Sequence, residues 1–168
     1  MHARRDIQAG EELLYAPKEG IITLEMAEES PIGAKMMKAQ LKKRLLSPKH
    51  SFLTTFVLQE KRKAGTPWWS FIDILPKDMG NFPIFFEPEE KEWLKGSPFL
   101  EQVEEKIEDI KQDYELICDE VPEYREFPIK EFSEIRMMVS SRIFGMNIED
   151  KKTDGFVPLA GKRQRSSP

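Results

Sequence analysis

One cysteine, two histidines and no long apolar run remove several function classes from this 168-residue chain at the outset. The lone Cys118 rules out a disulfide within the chain, and His2 and His50 lie too far apart in sequence for zinc-ligand spacing, so no metal site is expected. The longest apolar stretch, around Phe52 to Leu58, falls well short of the roughly 20 residues that cross a bilayer. Met1-His2-Ala3-Arg4-Arg5-Asp6 has no apolar core of the kind a signal peptide needs, and a reduced, intracellular compartment is expected. An excess of positive charge is missing as well. The net charge is −4 and the pI about 5.4, which argues against general nucleic-acid binding, since that normally needs a basic face.

What is present suits one domain or part of a larger one: 39% of the residues are apolar and 33% charged. The patterning predicts an α+β fold, with small N-terminal strands and a large, mainly helical middle. Ala3–Ile7 and Glu12–Pro17 read as two strands joined by a turn at Gly10, and Gly20–Leu24 as a third. Ser30-Pro31 starts a helix in which Met37, Leu41 and Leu45 form a buried face opposite Lys35, Lys38 and Lys42. A second helix, from about His50 to Arg62, is apolar over most of its circumference and should be buried on several sides. Met36 and Met37 read as core, and His50 as a surface residue. The run Trp68–Pro76 has no basic residue interleaved, so core packing fits it better than nucleic-acid stacking.

From Ser97-Pro98, Leu100, Val103, Ile107, Ile110, Tyr114 and Ile117 form a heptad-like seam. It suits packing on the preceding helices better than a coiled coil of only about three heptads. After Pro122 and Pro128, a helix from Ile129 carries the stripe Phe132, Ile135, Val139 and Ile143, with Gly145 as its expected stop. Gly155–Ala160 then reads as an edge or terminal strand, and Gly161–Pro168 as a disordered basic tail.

Several of these segments, in this order, resemble the SET-domain lysine methyltransferases of the plant Rubisco large-subunit methyltransferase class. The resemblance is carried by Arg5-Asp6-Ile7 with Ala9-Gly10-Glu11, and by Trp69-Ser70-Phe71-Ile72-Asp73-Ile74-Leu75-Pro76. Asn81–Phe86, Glu89–Ser97, Ser141-Arg142-Ile143-Phe144 and Phe156-Val157-Pro158-Leu159-Ala160 continue it. It extends over nearly the whole chain up to Ala160. It implies residues 1–29 as the first strands of a SET core, 30–127 as a helical insertion, 128–160 as a core helix and strand, and 161–168 as the tail.

The resemblance also implies transfer of a methyl group from S-adenosylmethionine to a protein lysine, in a site that works mainly by positioning and needs no metal. The partner would be a protein substrate, with neither nucleic acid nor membrane involved. Only Ser141 and Arg142 match positions lining the active cleft in this class, as cofactor-binding residues. Arg142 suits the cofactor carboxylate, because a guanidinium can make two parallel hydrogen bonds to it. It equally suits a helix-terminal role, paired with the last carbonyls or with Glu134 or Asp150. Ser141 suits a bond back to the preceding turn.

No residue takes a catalytic role. The Gly-x-Gly turn before the first strand, the Asp at the position of Gly161, the Asn-His pair after it and the later tyrosine have no counterpart. The chain therefore reads as cut at both ends and inactive as it stands, with tight cofactor binding not expected. The alternative is a non-catalytic interaction module built on the helical insertion. Uncovered apolar surface makes self-association an expectation in either case.

Overall fold

Three Ser-Pro pairs set where helices begin, because a serine hydroxyl can cap while proline gives up an N–H that the first turn would leave unbonded. In the computed structural model, which describes residues 5–12 and 15–157, they open α2 (Pro31–Lys38), α4 (Pro48–Arg62) and α7 (Pro98–Glu120). The Ser30 hydroxyl accepts from the Gly33 amide at 3.0 Å, and that of Ser97 from the Phe99 amide at 3.2 Å. Ser47 makes no such cap. Its place is taken from a different helix: Asp113 of α7 accepts from the Leu46 and Ser47 amides at 2.7 and 3.2 Å and from the Ser51 hydroxyl at 2.8 Å.

The other helices are α1 (Leu24–Glu29), α3 (Leu41–Arg44), α5 (Trp69–Asp73), α6 (Pro88–Lys91) and α8 (Ile129–Arg142), with short 3₁₀ turns between them. The centre is α4, in which every residue from Ser51 to Leu58 is buried and which packs against α1, α2, α3, α5 and α8. Phe52, Leu53, Ile110, Ile117, Tyr124, Phe132 and Phe156 belong to one continuous apolar core with it. The α7 seam faces this core rather than another coil. Where α2 crosses the end of α1, a Cβ on Gly33 would lie 1.8 Å from the Ala27 carbonyl oxygen, so only glycine fits.

The sheet is small: β1 (Ile22–Thr23), β2 (Ile143–Ile148) and β3 (Lys151–Phe156), antiparallel, in the order β1-β3-β2. Strands and helices thus make the expected α+β fold. The first and last parts of the chain meet in one layer, with Ile22 opposite Phe156. Among the described residues no helix is long and apolar enough to cross a membrane.

Several sequence expectations are corrected. Among the described residues 5–17 there is no strand. Gln8 to Glu11 form a turn at Gly10, residues 5–10 are exposed, and no neighbouring strand edge is offered to them. The third expected strand survives only as Ile22–Thr23, because Thr23 turns to cap α1, accepting from the Met26 amide at 3.3 Å. Met37 is exposed while Met36 is fully buried; the left-handed Gln40 (φ 57°) breaks the helix and resets the phase before Leu41 and Leu45, which are buried. In the tryptophan run Trp68, Phe71, Ile72 and Leu75 are buried, but Trp69 and Ile74 are exposed.

Gly145 does not stop α8. The helix ends at Arg142, Ile143 takes an extended conformation, and Gly145 sits inside β2 without a left-handed φ. The stretch read as a polar loop is a hairpin, closed by Glu149 and Asp150, both at positive φ (50° and 61°), as a two-residue primed turn requires. Strand β3 accordingly starts before Gly155. Residues Ala3, Arg4, Leu13, Leu14, Pro158–Ala160 and the basic tail lie outside the described residues.

Candidate functional site

The two residues singled out from the sequence stand at the junction where α8 passes directly into β2. No loop intervenes, since the Ile143 amide still closes the helix by bonding to the Val139 carbonyl. The Ser141 hydroxyl donates to the Met138 carbonyl at 2.9 Å, the back-bond to the preceding turn that small hydroxyls favour. Its oxygen also accepts from Arg142 Nη1 at 2.7 Å. Arg142 is half-buried, and burial alone draws its pKa down, with no neighbouring charge contributing. Its observed partner is therefore the adjacent hydroxyl, and its remaining N–H groups stay available for an acceptor. A guanidinium in that condition fits a carboxylate, which would supply the missing counter-charge and accept two parallel bonds.

Six residues before Arg142 lies Arg136, a residue with no expected role. It is only 1% exposed, its Nη1 donates to the Ser140 hydroxyl at 3.1 Å, and Ser140 in turn donates to the Arg136 carbonyl at 2.9 Å. Its Nε has no partner among the described residues. Burial draws its pKa down to about 10, against the pull of Asp113 and Asp109. His50 belongs to the same electrostatic neighbourhood. Contrary to expectation it is half-buried, and burial first, then Arg136, Lys49 and Lys106, push its pKa from 6.5 to about 4, with Asp154 opposing. It is a neutral imidazole at neutral pH. The signal for these residues was in the spacing. Arg136 is four residues after Phe132 and three before Val139, and Asp113 is three after Ile110 and four before Ile117, so each is a charge on a core stripe.

Two concavities flank α8 and the hairpin. A groove of about 300 Å³ runs between α5 and α8, with Trp69, Ile72, Leu75, Glu134, Ile135 and Met138 in its walls. A shallow depression of about 520 Å³ lies on the hairpin at Gly145, Met146, Asn147, Lys152, Thr153 and Asp154. Ser141 and Arg142 line neither. The hairpin is fastened to the helices by charge: Thr153 donates to Glu25 at 2.5 Å, Lys151 pairs with Glu25 at 3.6 Å, and Lys49 pairs with Asp154 at 3.2 Å. No group of three or more acidic, histidine or cysteine side chains suited to a metal occurs among the described residues.

Tyrosines are remote from this junction in role. Tyr114 donates to the Phe127 carbonyl at 2.7 Å, and burial raises its pKa to about 12. Tyr124 is fully buried and stacked among Tyr114, Phe127 and Phe132, with its pKa raised by burial. Tyr15 is exposed.

The fold has known counterparts. The SET domain of LSMT, solved bound to methyllysine and AdoHcy, superposes with a TM-score of 0.70 at 21% identity, over 86% of this chain and 33% of that one. The same domain bound to lysine and AdoHcy gives 0.70 and 21%, over 87% and 33%. In sequence, the actin-histidine N-methyltransferase of Danio rerio is 25% identical over 147 residues, which is 84% of this chain and 24% of that protein. The Mus musculus protein of the same name is 26% identical over 166 residues, 95% of this chain and 27% of its own length. The chain thus spans about a quarter of the length of the curated relatives it matches. No family model matches it. The resemblance read from the sequence holds: the fold matches part of a solved SET domain, and the relatives are protein methyltransferases.

Proposed function

We propose, from a chain whose fold matches part of a SET domain, that these residues form part of a protein N-methyltransferase that uses S-adenosylmethionine and acts on a lysine side chain. In this reading residues 1–29 and 128–160 belong to the SET core and 30–127 to a helical insertion. The observation that carries it is the pairing of Ile22 with Phe156: an early and a late segment of the described chain share one sheet, and most of the chain between them is helical. When bound, the cofactor supplies a sulfonium methyl group that passes to the acceptor nitrogen as the sulfur–carbon bond breaks. Arg142 binds the cofactor's carboxylate with its free N–H groups, and Ser141, anchored to the Met138 carbonyl, fixes the guanidinium plane. The other walls of the site, including any tyrosine that would desolvate the acceptor amine, are not supplied by Tyr15, Tyr114 or Tyr124. On this reading the 168-residue chain alone is expected to show no turnover.

The test is a titration of the isotopically labelled chain with S-adenosylhomocysteine, followed by NMR, together with a methyl-transfer assay on lysine-bearing and histidine-bearing peptides. Weak binding that shifts the Ser141 and Arg142 amides, and is lost in Arg142→Ala, is the expected result, with no turnover. Shifts confined to other regions would remove Arg142 from the site. Turnover by the chain alone would refute its inactivity, and transfer to histidine only would replace lysine as the acceptor.

A second reading has its own observation. Trp93 is 79% exposed and Phe99 45%, in a stretch where Glu89, Glu90, Glu92 and Glu101 outnumber Lys91 and Lys95, a surface suited to a basic protein partner. On that reading the insertion is a non-catalytic interaction module. Capture of such a partner by the chain, lost in Trp93→Ala, with no cofactor-induced shifts at Arg142, would favour it.

A further inference from the structure

We infer that strand β2 is a self-association edge, through which two copies of this chain pair antiparallel about a twofold axis at Gly145. The inference rests on the hairpin geometry of the described residues and concerns this 168-residue chain. In a two-residue hairpin the residues flanking the turn bond to each other, and the alternation then runs back along both strands. Ile148 faces Lys151 across the turn, so Ile148, Met146 and Phe144 direct their backbone groups to β3, while Asn147, Gly145 and Ile143 direct theirs outward. The Ile143 amide confirms the alternation independently, since it points away from β3 to the Val139 carbonyl of α8.

Among the described residues nothing pairs with this outer edge. Its free groups are the amides of Gly145 and Asn147 and the carbonyls of Ile143, Gly145 and Asn147. One register satisfies every free donor. With Gly145 opposite Gly145 of a second copy, each Gly145 amide meets the other's carbonyl, and each Asn147 amide meets the carbonyl of Ile143 in the other copy. The helix-committed Ile143 amide is the only donor that this register does not use.

The side chains agree with the same register. It sets the exposed Phe144 against Met146 of the second copy, an aromatic–thioether contact made twice. It also sets the α8–β2 junction, which carries Arg142, at the end of the interface where the Glu149–Asp150 turn of the other copy lies, positive near negative at both ends. Glu149 already pairs with Lys18 at 2.7 Å, but in an exposed setting, and the turn carries Asp150 as well. The strand itself, Ile143-Phe144-Gly145-Met146-Asn147-Ile148, has no charge, no proline and no bulge, none of the devices by which proteins usually blunt an edge. A contact of one short strand pair is small, so a weak, micromolar dimer is expected.

Sedimentation velocity across a concentration series, with hydrogen exchange on the same samples, tests this. The expected result is a concentration-dependent dimer in which the Gly145 and Asn147 amides gain protection as dimer forms, while those of Phe144, Met146 and Ile148 are protected throughout. Gly145→Pro removes an outward N–H without touching the β3 ladder and should weaken the dimer at least about tenfold. Asp150→Lys should weaken it less. A chain that stays monomeric at high concentration with both outward amides exchanging freely overturns the inference, as does a dimer indifferent to Gly145→Pro and showing no protection at those two amides. Unfolding of Gly145→Pro would leave the exchange pattern of the unmodified chain as the deciding measurement.

Discussion

The helical body and the three-stranded sheet are held by different forces. In the body, α4 is enclosed on nearly every side and the core is continuous from Phe52 to Phe132, so its stability scales with apolar area removed from water. In the sheet, only Ile22, Gly155 and Phe156 are buried, and the hairpin beyond them stands out from the core. It relies on its own ladder and on pairs such as Lys49–Asp154, whose partially exposed charges contribute little individually. Ser141 and Arg142, the residues proposed for cofactor binding, stand on the boundary, at the point where one kind of order gives way to the other. A site placed there gains a rigid base on one side and an adjustable strand on the other.

That contrast can be broken from the body outward. Phe132→Ala deletes a fully buried ring that touches Tyr114 and Tyr124, and is expected to cost about 3–5 kcal/mol in a denaturant titration. A cost under 1 kcal/mol would mean that the core is not the shared support it looks to be. Asp113→Ala leaves the Leu46 and Ser47 amides unbonded at the start of α4 and should cost about 2–4 kcal/mol. Asp113→Asn, which keeps one acceptor oxygen, should recover part of that.

In the sheet the effects should be smaller and local. A Cβ at Gly155 would meet Ile21 Cγ2 at 3.0 Å and Met146 Cε at 3.1 Å, so Gly155→Ala is expected to cost about 1–3 kcal/mol. Hydrogen exchange should show faster opening of the hairpin amides with the α4 amides little changed; equal acceleration in both would join the two regions into one cooperative unit. The smallest expected effect is on pH dependence. His50 is neutral in the folded chain down to about pH 4, whereas its ordinary pKa is 6.5. The unfolded chain therefore binds a proton first, and stability that is fully present above pH 6.5 is lost as pH falls toward 4. His50→Gln should flatten that part of the profile, and an unchanged slope would place the acid sensitivity elsewhere.

The helical body was legible in advance and the sheet largely was not. Ser30-Pro31 and Ser97-Pro98 announce helix starts within a few residues, and the spacing from Val103 to Ile117 identifies a buried seam without any knowledge of its partner. By contrast, Gly145 has the same local appearance whether it ends a helix or lies in a strand. What decides is that Ile143–Ile148 finds β3 to pair with. Arg5 to Ile7 failed as a strand for the converse reason, an extended pattern with no neighbouring strand edge offered to it. Of the candidate site, Ser141 and Arg142 were named from resemblance. Arg136 left a trace in the spacing, as a charge on the Phe132–Val139 stripe, whereas His50 emerged only when burial changed its electrostatics.

The amino-acid sequence by itself determined where the chain coils, because helical hydrogen bonds and capping close within four residues and leave a periodic imprint. Tertiary structure alone decided which strands meet, which charges are enclosed and which edge is left open. Those outcomes depend on groups more than a hundred residues apart, such as Ile22 and Phe156, and local residue order carries no record of that separation being closed.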